Sequence, residues 1–366
     1  MPKEKRSFAA RRERVQQQIL QRGLAAMLLS PGSDLAYFSG YRIFGSERLT
    51  CLVLPASGVP TLVLPELESP RATAAAPDLA QRTWRETEDP YALVASLVTD
   101  RGDIAVADQM WALFTLRLQA AIPRRFAVAS ELTREQRMRK DKGERDALAA
   151  VSAGADRAFA RIRSAEFAGR RERDIAADLA AALRAEGHEE VAFTIVASGP
   201  NGASPHHQTG DRVIAKGETV VLDFGGTQSW YCSDITRTVI VGTPDAEMVK
   251  VHDTVRRAQE AGYAAARSGT ACELVDAASR KVIDDAGYGT YFIHRTGHGI
   301  GLDGHEHPYL VSGNREALEP GMAFSIEPGI YLPGRFGVRI EDIAIIGDDG
   351  RAEPLNTADH ALAQVK

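Results

Sequence analysis

Strand-like and helix-like stretches alternate in the first third of this chain and are grouped in the rest. Residues 10–22 set Val15, Ile19 and Leu20 among charges at helical spacing, which predicts a helix. The apolar run from Ala25 to Leu29, closed by Pro31-Gly32-Ser33, predicts a strand and turn. TCLVLP and PTLVLP flank Ala56-Ser57-Gly58-Val59 and predict a hairpin, and DIAVAD at 103–108 predicts another strand between helical segments. Such alternation argues for a small α/β domain with both sheet faces covered.

Ten of the thirteen residues from Arg134 to Asp146 are charged, which reads as a solvated helix face. Two long helical stretches follow, about 144–165 and 170–186, then strand-like VAFTIVAS, GETVVLDFGG and SDITRTVIVG. Two more helical stretches, 245–267 and 271–286, precede strands at 322–327 and 337–346. Grouping of this kind predicts an α+β domain. Neither an internal repeat nor a low-complexity tract interrupts the pattern.

A chain of 366 residues accommodates the two domains this implies. A net charge of −5, with acids dispersed among the arginines, gives no reason to expect nucleic acid or a membrane as partner. No run approaches eighteen apolar residues, which excludes a transmembrane helix. The basic N-terminal residues Lys3, Lys5, Arg6, Arg11, Arg12 and Arg14 lack the apolar region of a secretory signal. Cys51, Cys232 and Cys272 are too dispersed for a disulfide framework or a zinc pattern. The expectation is a cytoplasmic enzyme.

Four acids stand in apolar surroundings. Asp223 in VVLDFGG and Asp234 in CSDITRT are joined by a stretch containing Gly225 and Gly226, which lets one strand turn back beside the other. Glu327 in SIEPGIY and Glu341 in VRIED repeat the arrangement, with Pro328, Gly329, Pro333 and Gly334 between them. A buried carboxylate is costly unless paired, hydrogen-bonded or bound to metal, and four are hard to satisfy with side chains alone.

Four of the nine histidines lie between 294 and 307: His294, His298, His305 and His307. Their string TGHGIGLDGHEHP lets backbone approach a ligand closely but lacks the strand-to-helix setting of a dinucleotide fingerprint. The pairs His294/His298 and His305/His307 form no H-E-x-x-H motif, which weakens a mononuclear zinc site. Four carboxylates neutralise two divalent ions, whereas one ion leaves excess negative charge in a cleft. A mostly oxygen donor set with one imidazole suits manganese, cobalt or zinc. A two-metal centre generates a nucleophile at neutral pH and polarises a carbonyl.

These motifs, in this order, resemble the pita-bread metallopeptidases: methionine aminopeptidase, aminopeptidase P and prolidase, with creatinase as a metal-free relative. The resemblance runs from Arg139-Lys140 to about Ile346 and rests on D-F-G, S-D-I-T-R, G-H-G-I-G, E-P-G and R-I-E-D. It implies a creatinase/prolidase-type α/β N-terminal domain, 1–130, followed by an α+β pita-bread (creatinase/aminopeptidase-like) catalytic domain, 131–366. It implies that Asp223, Asp234, His298, Glu327 and Glu341 bind two divalent ions per chain (Mn, Co or Zn), with Asp234 and Glu341 bridging them. Glu327 is also implied to take the proton of the attacking water. His206, in SGPNGASPHHQ, matches a substrate-facing histidine, with His207 as its competitor. His305 matches the histidine that steadies the carbonyl oxygen, and Arg339 the arginine near the leaving-residue pocket. Thr236 and Arg237 look like supports of the ligands.

The N-terminal domain argues against methionine aminopeptidase, and the intact ligand set argues against creatinase and non-catalytic binding relatives. What remains is the proline-specific branch: Xaa-Pro dipeptidase (prolidase), or Xaa-Pro aminopeptidase (aminopeptidase P) on longer peptides. The bond before proline is a tertiary amide without an N–H, which suits a dedicated pocket. The segment PGRFGVRIED resembles short bacterial prolidases and offers Arg335 and Arg339 as partners for a free proline carboxylate. The expected partners are a proline-containing dipeptide or short peptide, and a second copy of the chain as a homodimer.

Overall fold

A computed structural model describes residues 8–366; Lys3, Lys5 and Arg6 of the basic N-terminal run lie outside the described residues. The chain divides into two compact units, Met1–Arg137 and Met138–Lys366.

The first unit runs α1 (Phe8–Gln21), β1 (Leu24–Leu29), α2 (Ser33–Ser39), β2 (Cys51–Pro55), β3 (Thr61–Pro65), α3 (Ser69–Ala75), β4 (Ala80–Trp84), α4 (Pro90–Ser96), β5 (Asp103–Val106), α5 (Ala112–Ala121), β6 (Phe126–Val128) and α6 (Ser130–Met138). Its sheet has the order β4-β3-β2-β1-β5-β6. The expected hairpin is β2–β3, with Leu52 opposite Leu62. Its strands are buried throughout, which is why both read as unbroken apolar runs. In α1, Val15 and Ile19 are buried as the spacing predicts, but Leu20 is 64% exposed. Arg12 is buried instead, its guanidinium donating to Phe38 O at 2.8 Å and to Asp78 at 2.6 Å.

The second unit continues with α7 (Lys142–Ile162), α8 (Glu172–Ala185), β7 (Glu190–Ser198), β8 (Thr219–Gln228), β9 (Tyr231–Cys232), β10 (Ile235–Val241), α9 (Ala246–Ala265) and α10 (Cys272–Asp285). Then come β11 (Gly297–Gly299), β12 (Glu306–Leu310), β13 (Ala323–Ile326), β14 (Gly329–Leu332), β15 (Phe336–Arg339), β16 (Asp342–Ile346), β17 (Ala352–Pro354) and β18 (Ala363–Val365). One sheet has the order β18-β10-β8-β7 with β9 beside β8, and another the order β12-β11-β13-β16-β17. Phe159 of α7 and Leu179 of α8 join Leu222 and Val239 in the core of the first sheet. Val251 and Val255 of α9 and Ile283 of α10 pack with Ile330 and Val338 of the hairpin β14–β15. The result is an α/β unit followed by an α+β pita-bread unit.

The charged run 134–146 departs from the expected solvated face. It breaks between α6 and α7, where the Asp141 carboxylate caps α7 through the Glu144 N–H at 2.9 Å. Lys140 and Glu144 are buried. Lys140 Nζ meets Glu306 Oε1 at 2.7 Å, and Glu144 Oε1 accepts the Tyr231 hydroxyl at 2.9 Å. Removing one member of a buried ion pair strands the other charge, so Lys140→Met should destabilise by about 3–5 kcal/mol in denaturant unfolding. Double replacement, Lys140→Met with Glu306→Gln, should recover part of that loss. An unchanged midpoint in the single variant would refute this role.

Candidate active site

Asp223 lies in β8, facing Thr236 of β10 in register. Asp234 sits in the short link between β9 and β10. Glu327 and Glu341 repeat the turned-back strand pair that the sequence suggests, with a further hairpin interposed between their strands. Glu327 directly follows β13 and Glu341 precedes β16; β13 pairs with β16, while β14 and β15 form a separate hairpin. The middle of β8, the β9–β10 link and the facing ends of β13 and β16 therefore supply the acids.

His298 is the middle residue of β11. Its flanking glycines serve strand contact rather than a ligand: a Cβ on Gly297 would meet Ser325 O at 1.9 Å, and one on Gly299 would meet His307 O at 2.1 Å. His298 Nδ1 hydrogen-bonds to Gly299 O at 3.0 Å, so this nitrogen carries the proton and Nε2 the lone pair. Nε2 lies 3.3 Å from Glu327 Oε1 and 3.8 Å from Asp234 Oδ2. Burial, with His305 alongside, lowers the His298 pKa to about 3, which keeps the imidazole neutral.

The donor atoms converge. Asp223, Asp234 and Glu341 offer oxygens within 4.8 Å of one another; His298, Glu327 and Glu341 do the same, as do Asp234, His298 and His305. Neither His294 nor His307 belongs to these sets among the described residues. The His294 ring is engaged by Arg295 O at 2.7 Å and the Tyr331 hydroxyl at 2.8 Å. This leaves no support for the paired-histidine zinc site.

Among the described residues, Asp234 Oδ1 and Glu341 Oε1 are buried without a hydrogen-bond partner. Burial and mutual repulsion raise the pKa of both acids well above the usual carboxylate range. Glu327 rises to about 7, chiefly through burial. Orphaned carboxylate oxygens beside a neutral imidazole are the donors a divalent-metal centre needs. Thr236 donates to Glu341 Oε2 at 2.7 Å, and Arg237 donates to Glu341 O at 2.7 Å and to Asp342 at 2.6 Å. Both orient the Glu341 segment.

A cavity of about 600 Å³ opens on the cluster, lined by His206, Arg295, His305 and Arg339, with Phe193 and Ile195 on an apolar wall. His206 lines it; His207 turns away, its Nε2 2.9 Å from Glu172. Glu172 also accepts from Ser198 N–H at 2.7 Å and from Asn201 at 3.0 Å. Burial would raise the Glu172 pKa, but these hydrogen bonds outweigh it and the net shift is downward.

Arg335 is not part of the site. It is about half exposed and pairs with Glu247 of α9. Arg339 is buried beneath the cavity, where Nη2 pairs with Asp223 at 2.5 Å, Nη1 meets the Tyr331 hydroxyl at 2.9 Å and Nε meets Thr236 Oγ1 at 3.0 Å. Sequence reasoning missed Arg295 and Tyr331. Arg295 stands three residues before His298, a proximity that could have flagged it.

Residues 143–348 match the model of metallopeptidase family M24, and residues 11–139 match the creatinase/prolidase N-terminal domain. The chain is 48% identical to the "Probable dipeptidase PepE" of Mycobacterium bovis, over 94% of this chain and 92% of that protein. It is 34% identical to an Xaa-Pro dipeptidase of Lactobacillus delbrueckii subsp. lactis, over 92% and 94% of the two chains. The solved structure of a recombinant prolidase from Thermococcus sibiricus superposes with a TM-score of 0.93 at 37% identity, covering 98% of this chain and 100% of that one.

Proposed function

This chain belongs to metallopeptidase family M24, and we propose that it hydrolyses the peptide bond preceding proline in Xaa-Pro dipeptides, using two divalent metal ions per chain. The observation that carries this reading is the pair of donor sets meeting at Glu341 beneath a cavity lined by His206 and His305. Asp223, Asp234 and Glu341 would hold one ion; Asp234, His298, Glu327 and Glu341 would hold the other. Bound there, the ions would polarise the scissile carbonyl and make water acidic enough to attack near neutral pH.

The chain's own groups supply the rest. Glu327 Oε1 accepts from Ser325 Oγ at 3.1 Å, which leaves Oε2 to take the proton of the attacking water. His305 Nδ1 faces the Arg295 guanidinium at 3.3 Å. An arginine can only donate, so this nitrogen accepts and the neutral ring carries its proton on Nε2. That N–H can donate to the peptide carbonyl as negative charge develops there. Burial, with Arg295 alongside, lowers the His305 pKa and favours this neutral form. His206 offers a second imidazole to the same substrate.

Chelator should abolish hydrolysis of Ala-Pro, and Mn²⁺ or Co²⁺ should restore it. The ratio of kcat/KM for Ala-Pro to that for Ala-Pro-Ala decides between dipeptidase and aminopeptidase. Equal turnover of the tripeptide would replace the dipeptidase assignment with Xaa-Pro aminopeptidase. We also propose that the enzyme acts as a homodimer in the cytoplasm.

A further inference from the structure

A dipeptidase must recognise the free carboxylate that distinguishes Xaa-Pro from a longer peptide. Neither arginine of the 335–339 segment is placed to do so. Arg335 is spent on a surface pair with Glu247, and Arg339 on Asp223, Thr236 and Tyr331. We propose that Arg295 receives the C-terminal carboxylate of the substrate and is the residue that selects dipeptides; this rests on the Xaa-Pro reading of the site.

Arg295 lines the metal-site cavity, and among the described residues no carboxylate pairs with its guanidinium. Its guanidinium carbon lies 4.3 Å from the centre of the Tyr309 ring. Packing against an aromatic face leaves the N–H fork at the guanidinium edge, the geometry that grips a carboxylate with two hydrogen bonds. The backbone is fixed on both sides. Arg280, held by Asp276 at 2.7 Å, donates to Phe292 O at 3.0 Å and to His294 O. Asp276 also accepts the Thr296 N–H at 3.0 Å.

Reach agrees with this role. In a dipeptide the carboxyl carbon is three bonds, at most about 4 Å, from the scissile carbon. Arg295 Nη2 lies 3.3 Å from His305 Nδ1, and the His305 ring centre lies 3.8 Å from that of His298. An arginine that close to the donor cluster meets the carboxylate of a bound dipeptide. In Ala-Pro amide or a tripeptide, the same position holds a neutral amide.

The test compares Ala-Pro with Ala-Pro amide on the metal-loaded enzyme. Wild type should favour Ala-Pro, and Arg295→Ala should reduce the Ala-Pro to Ala-Pro amide ratio of kcat/KM about 100-fold, the worth of a charge-assisted bidentate contact. Loss through a disturbed His305 would lower both substrates together and leave the ratio unchanged. Arg295→Lys should restore part of the ratio, and Arg295→Gln should weaken competitive inhibition by free proline but not by prolinamide. If wild type favours Ala-Pro and the variants keep that preference, the role of Arg295 is overturned while the dipeptidase reading stands. If wild type turns over the amide and Ala-Pro-Ala as well as Ala-Pro, the dipeptidase reading itself falls, and the role of Arg295 with it.

Discussion

A Glu341→Ala protein will retain neither divalent ion and will hydrolyse Ala-Pro at least about 10⁴-fold more slowly, a loss of roughly 5 kcal/mol in transition-state stabilisation. Glu341 belongs to both the Asp223–Asp234 set and the His298–Glu327 set, so its removal opens both at once. His298→Ala removes a neutral nitrogen and leaves every carboxylate in place, so it should keep about one ion per chain and lose less activity. Asp234→Ala should resemble Glu341→Ala, because Asp234 also reaches towards both groups. Elemental analysis after manganese-supplemented purification reads the metal, and circular dichroism confirms that each variant is folded. Full metal content or full activity in Glu341→Ala would end the two-metal reading.

The acids of the site were legible because they are anomalous. A carboxylate inside VVLDFGG or VRIED breaks a pattern that otherwise describes a buried strand, and burial of Asp223, Asp234 and Glu341 follows from it. What the local pattern does not carry is the path of the chain between two such acids. The strands that end just before Glu327 and begin just after Glu341 pair as expected, with Ile326 opposite Asp342, but the chain between them makes a further hairpin, Gly329 opposite Arg339, that belongs to another sheet. Prolines and glycines mark where a strand ends, not which neighbour it takes next.

Choices between adjacent residues were equally hidden. His206 and His207 share one loop and one chemistry; Glu172, far back in the chain on α8, turns His207 away. Arg335 and Arg339 look interchangeable until the hairpin puts one in its turn beside Glu247 and the other on the strand beside Asp223. The ion pair of Lys140 and Glu306 joins residues far apart in sequence, and nothing near Lys140 distinguishes it from the solvated charges around it. Arg295 stands near His298 in sequence, but its packing is not legible there. Its neighbour Tyr309 comes alongside only because β11 and β12 pair, with His298 opposite Tyr309.

In metal-free protein the stability that Glu327 contributes will be lost as the pH rises from below 4.5 to above 7. Glu327 has an ordinary value of 4.5 and rises to about 7 in the fold, mainly through burial. A carboxyl group with a raised folded pKa holds its proton more tightly folded than unfolded. Its contribution is therefore full below the unfolded value and is lost as pH climbs through the folded one. The shift of Glu327 alone corresponds to about 3 kcal/mol, or roughly 5–10 °C in the melting temperature of a unit this size. Asp234 and Glu341 shift in the same direction, whereas the buried His298, His294 and His252, lowered to about 3, 4 and 4, contribute in the opposite sense. The Glu327 contribution is therefore read as a difference between wild type and Glu327→Gln. Divalent ions take the place of the carboxyl protons, so metal affinity should rise over the same window. Melting curves of metal-free wild type and Glu327→Gln between pH 5 and 8 make the comparison, with wild type losing stability relative to the variant as the pH rises. A wild-type-minus-variant difference that stays flat with pH would mean that Arg339 and the surrounding hydroxyls already satisfy Glu327, and the argument that this cluster is built for metal would lose its electrostatic basis.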